Sequence, residues 1–146
     1  MIELTVKNKV SFPELKLQDD LVHIATKIVM PFLKRQIVVG QDLQEKTYPP
    51  LAQSTLKIKA EKRQPPYPLQ AEGKLREGFI FRKLGKSSVM ITINSLRKEI
   101  GNILQNKGVK TKSGKRYFNF FGLNSRMEDE AMIYMRTRIK EEINKR

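Results

Sequence analysis

The sequence predicts an α+β fold: a small antiparallel sheet with a long N-terminal helix and a C-terminal helix packed on it. Two patterns point to helices, because apolar residues recur every three to four positions from Leu21 to Leu33 and again from Met127 to Ile143. A third points to the sheet. Gly78 to Leu84 and Ser88 to Ile93 are rich in β-branched and aromatic residues and flank the short turn Gly85-Lys86-Ser87, as a hairpin requires. With 146 residues, 39% of them apolar, the chain can bury one modest core, so a single domain over 1–146 is expected.

The elements follow in order. Ile2, Leu4 and Val6 alternate with polar residues, giving a strand over 2–7. Leu21, Ile24, Ala25, Ile28, Val29, Phe32 and Leu33 then define an amphipathic helix from about Asp19 to Ile37, with Asp19 or Asp20 as N-cap and Gly40 as terminator. Pro31 lacks an amide hydrogen, so a kink or break is expected near Lys27 to Met30. Residues 41–52 are polar and contain Pro49-Pro50, which predicts an extended connection. Ser54 offers a cap for a short helix through Lys62, and the prolines of 64–73 enforce an extended loop.

After the hairpin, Asn94 or Ser95 can cap a helix carrying Leu96, Ile100, Ile103 and Leu104 and ending near Gly108. Residues 109–116 hold no large apolar residue after Val109, so 107–116 is expected to be a mobile loop, like 41–52 and 61–73. Tyr117 to Phe121 suits a strand or tight turn. Ser125-Arg126-Met127-Glu128 has capping-box spacing ahead of a final helix with Met127, Ala131, Met135, Ile139 and Ile143 on its apolar face.

Charge is concentrated in the middle of the chain. The net charge is +14, and residues 57–116 carry 16 Lys/Arg against 4 Asp/Glu, which is +12. Such a field favours polyanions, either nucleic acid or an acidic protein surface, and it also suits a solvated Lys-rich face. There is no cysteine, which excludes disulfides, thiolate metal sites and cysteine nucleophiles. The N-terminus lacks the apolar core of a signal peptide, and no segment approaches the roughly 20 apolar residues of a membrane span. A soluble intracellular protein with no membrane partner is expected.

Catalytic signals are sparse. His23 is the only histidine and has no ligand cluster at helical spacing, so it reads as a structural residue. There is no phosphate-binding GxxxxGK[ST] loop, and Glu72-Gly73-Lys74 lacks the convergent carboxylates that phosphoryl-transfer metals use. No enzyme activity, metal or cofactor is expected. Lys57, Lys59, Lys62 and Arg63 on the short helix, with Lys110, Lys112, Lys115 and Arg116 leading into Tyr117, Phe118, Phe120 and Phe121, could hold phosphates and stack bases. Alternatively, Phe118 and Phe120, or Tyr117 and Phe121, point inward as core residues.

Four motifs, in this order, resemble the phage virion morphogenesis family, the tail-completion or neck proteins of long-tailed phages. Tyr48-Pro49-Pro50-Leu51-Ala52-Gln53-Ser54-Thr55 is similar to its W-x-P-L-(S/A)-x-x-T element, with Tyr48 where tryptophan is usual. Leu69 to Leu75 is similar to L-x-x-T-G-x-L, with Glu72 for threonine, and Gly101 to Gly108 follows A-x-x-H-x-x-G loosely. Arg116, Phe118 and Gly122 are similar to the P-x-R-x-F-x-G element, with Gly114 in the place of proline.

The resemblance implies a structural protein that forms a homo-oligomeric ring and meets other neck, connector or tail-tube proteins. It would reside in the host cytoplasm during assembly and then in the virion. Tyr48, Pro49, Pro50, Leu51, Arg116 and Phe118 become oligomer or partner contacts, with Arg116 pinning the loop before the terminal strand. Lys57, Lys59, Lys62, Arg63, Lys110, Lys112 and Lys115 become residues facing passing DNA. The alternative is a small nonspecific nucleic-acid-binding protein using the basic central segment.

Overall fold

A computed structural model describes residues 2–5, 17–66, 68–69, 74–84, 88–94, 101–111 and 114–145. The fold is α+β, with helices at both ends of the chain and a small antiparallel sheet. Although the length suits one core, the chain forms two compact units. The first comprises 1–32, 80–92 and 123–146, and the second 33–79 and 93–122, so the chain passes between them repeatedly.

In the first unit, β1 (Ile2–Thr5) and β3 (Ser88–Ile93) run antiparallel with Ile2 opposite Ile91 and Leu4 opposite Val89. That register follows from alternation: Val89 and Ile91 are buried on the same face as Ile2, and a slip of one residue would expose all three. The third strand, β2 (Phe79–Leu84), lies at the sheet edge in the order β1-β3-β2. Residues 6 and 7 of the expected first strand, and the hairpin turn at 85–87, lie outside the described residues.

The first helix begins earlier than its acidic pair suggested. α1 (Leu17–Ile24) passes through a π-helical turn (Ala25–Val29) into α2 (Met30–Val39). Pro31 does not break it. The wide turn sits just ahead of the proline, and the Met30 amide donates to the Ala25 carbonyl five residues back. Leu21, Ile24, Ala25, Val29 and Phe32 are buried on one stripe, each large side chain contributing about 1.5–3 kcal/mol. Asp20 is buried within α1 and is not its cap.

The last helix, α5 (Ser125–Asn144), buries Met127 and lies beside α1 and the π turn. Its cap is Asn124, whose Oδ1 accepts the Met127 amide at 2.9 Å, one residue before the expected capping box.

In the second unit α2 ends at Gly40 (φ +71°). Gly40 N–H donates to Ile37 O and Gln41 N–H to Gln36 O, the paired bonds of a Schellman motif. Residues 41–48 are not the extended connection expected. The Asp42 carboxylate accepts the amides of Gln44 and Lys46, Gln41 bridges Thr47, and Leu43 is buried. α3 (Gln53–Glu61) starts after Ala52 with no side-chain cap, so Ser54 does not cap it, and it has no buried residue. A short helix, α4 (Lys74–Glu77), precedes β2 and buries Leu75.

Residues 101–107 are helical and end at Gly108 (φ +78°). The proposed cap at Ser95, with Leu96 and Ile100, lies outside the described residues. Residues expected as a loop form a two-stranded hairpin, β4 (Val109–Thr111) and β5 (Gly114–Arg116), with Lys110 opposite Lys115. Leu33, Ile37, Leu43, Tyr48, Leu75, Phe79, Ile93, Phe118 and Phe120 form the buried apolar set of this unit among the described residues.

Candidate functional site

The hairpin and the segment after it divide their side chains by alternation. Phe118 and Phe120 are buried whereas Tyr117 is 54% exposed, which resolves the two inward pairings the sequence allowed. A tight turn, Phe120 N–H to Phe118 O, and a reciprocal pair of bonds between the Gln105 amide and the Phe121 backbone fix this stretch. Phe121 stacks on Phe79 with ring centroids 5.8 Å apart.

Arg116 falls on the inward phase. Its Nη2 donates to the Pro49 carbonyl at 2.6 Å, and its guanidinium lies 4.8 Å from the centroid of Phe118. Tyr48 meets the same Phe118 ring edge-on at 5.3 Å. Two segments 67 positions apart are therefore tied together by the residues that carried their motifs. Tyr48 and Phe118, expected as partner contacts, are both buried within their own unit. Pro49 and Pro50 are exposed and Leu51 half-buried, which leaves these three accessible.

Tyr48 carries an uncompensated feature. Its hydroxyl is buried with no hydrogen-bond partner among the described residues. Burial, and then the Asp42 carboxylate, push the phenol above its usual range, against the opposing pull of Arg116.

The basic residues differ in exposure and in their partners. Lys57 on α3 and Lys62 at its C-cap are exposed, but Lys59 is half-buried, donates to the Pro65 carbonyl at 3.2 Å and has its pKa lowered by burial. Arg63 lies beyond the helix in left-handed backbone (φ +53°). Lys110 and Lys115 are exposed and directly paired across the hairpin, and Lys112 lies outside the described residues.

No family model, curated protein or solved structure matches the chain.

The first unit holds a polar cluster that the sequence reading missed. Asp20 Oδ1 accepts from Tyr134 Oη and from Arg138 Nε, each at 3.0 Å, while Arg138 also reaches Glu141 at 2.7 Å and Glu142 at 3.5 Å. Donating to Glu141 and then to Asp20 raises the Arg138 pKa. His23, read as structural, stacks on Tyr134 at 4.3 Å with rings 7° from parallel. The only sequence signal was Asp20 on the apolar side of its helix. No group of three metal-ligating side chains converges among the described residues.

The same unit presents apolar side chains to solvent. Ile80 and Phe81 on edge strand β2 are 44% and 39% exposed, and Met132 and Ile133 on α5 are 52% and 62% exposed. A strand edge with unpaired backbone groups and apolar side chains is a template for another chain.

Proposed function

We propose that the chain is a structural, noncatalytic assembly protein of the phage tail-completion or neck type, which closes into a homo-oligomeric ring and joins neck, connector or tail-tube proteins. It would act in the host cytoplasm and then remain in the virion. The β2 edge, unpaired on its outer side among the described residues and carrying exposed Ile80 and Phe81, carries this reading, since it offers a self-associating surface and a strand ladder. The motif order adds support, because Arg116 links two motif-bearing segments through Pro49.

Static light scattering on the wild type and on a double variant, Ile80→Lys with Phe81→Lys, tests it. The expected result is a discrete oligomer for the wild type and a monomer for the variant, with circular dichroism showing both folded. A wild type that stays monomeric as concentration rises would overturn the ring.

A further inference from the structure

We propose that the outer face of the β4–β5 hairpin, formed by Lys110, Lys115 and Tyr117, is a binding site for single-stranded nucleic acid. This goes beyond the assembly reading and uses different residues. Lys110 and Lys115 are directly opposed in the antiparallel register, so their side chains emerge on one face about 5 Å apart. Like charges in that arrangement repel and weaken a short hairpin. Neither lysine has an ion-pair partner among the described residues, and a phosphate between the two ammonium groups would relieve the repulsion.

Tyr117 supplies the second half of the site. Its ring packs over Gly108, where an added Cβ would come within 3.0 Å of ring atoms Cε1 and Cζ and 3.2 Å of Lys115 Cβ. Gly108 is therefore needed twice, for its positive φ and for the close approach of the ring. The ring is braced by backbone on one side while the residue stays 54% exposed, beside Lys115. A braced, accessible aromatic next to paired cations fits a base stacked on the ring and its phosphate on the lysines. An acidic protein segment would use the lysines but has no base to stack on Tyr117, so the exposed ring favours nucleic acid.

Fluorescence anisotropy with a short labelled mixed-sequence single strand, titrated at several salt concentrations, tests the site. Lys110→Ala with Lys115→Ala should flatten the plot of log K against log salt by about 1.4, from two phosphates at about 0.7 each. Tyr117→Ala should weaken binding roughly tenfold while Tyr117→Phe retains it, because a stacked base depends on the ring and not the hydroxyl. All variants should keep the wild-type oligomeric state by light scattering, so loss of binding and loss of assembly are separately visible. Three results would each overturn the proposal: no binding at low salt; equal affinity for Tyr117→Ala and wild type; or a loss on Lys57→Ala with Lys62→Ala as large as that of the hairpin pair. Displacement of the strand by polyglutamate at equal charge would instead assign the face to an acidic protein.

Discussion

Arg116 donates to a main-chain carbonyl of a distant segment and lies against the ring that packs on Tyr48. Arg116→Ala should destabilise the fold by about 1–2 kcal/mol, summing a charged hydrogen bond and a cation–π contact. Arg116→Lys should recover only part of that, since an ammonium lacks the planar fork; urea denaturation reads both. Tyr48→Phe should be neutral or stabilising by up to about 1 kcal/mol, because it removes a buried hydroxyl without a partner. The phenol pKa is raised in the fold, so its contribution is fully present below the ordinary tyrosine value of 10.0 and is lost as pH rises above it. Urea midpoints at pH 8 and pH 11, both about a unit or more from that pKa, should therefore fall less in Tyr48→Phe than in wild type. Arg116 was expected to pin the loop before the terminal strand, but its partner is the Pro49 carbonyl of a distant segment, which spacing does not reveal. The inward phase of Phe118 was not legible either, because it depends on the β4–β5 register, a pairing that alternation alone leaves free by one residue.

The cap of α5 lies one residue before Ser125. Asn124→Ala should cost about 1 kcal/mol, whereas Ser125→Ala, a change within the first helical turn, should cost a few tenths at most; thermal melts separate the two. Spacing favoured Ser125 because Glu128 follows three residues later. The helix phase that buries Met127 instead places Asn124 Oδ1 at the Met127 amide. Other elements were legible where the pattern was strong: the helix through Leu21 to Leu33, the β2–β3 hairpin and the Gly40 terminator. Pro31 predicted a disturbance at the right place, and the π turn absorbed it without ending the helix. The β4–β5 hairpin was hidden because its strands are short and lysine-rich, so neither carries an apolar alternation. The Asp20–Tyr134–Arg138 cluster joins residues more than a hundred positions apart, a distance over which spacing is uninformative.

At the scale of the molecule, positive charge concentrates in the middle of the chain and exposed apolar side chains sit on β2 and α5. The two sets of residues differ in chemistry. Apolar contact through the β2 edge would set the oligomer, while the hairpin lysines would remain free for a polyanion. Raising salt should accordingly weaken nucleic-acid binding steeply and leave an apolar assembly nearly unchanged. Light scattering and anisotropy run in parallel at low and high salt check that separation. An oligomer that dissociates in salt along with the nucleic acid would place the basic residues in the subunit contact.

Native mass spectrometry of the wild-type chain across concentration tests self-assembly most directly, since rotational symmetry that closes gives one stoichiometry and symmetry that does not gives an open series. The account predicts a single closed oligomer growing at the expense of monomer. A lone monomer at every concentration, or a ladder of sizes without a preferred one, would contradict it.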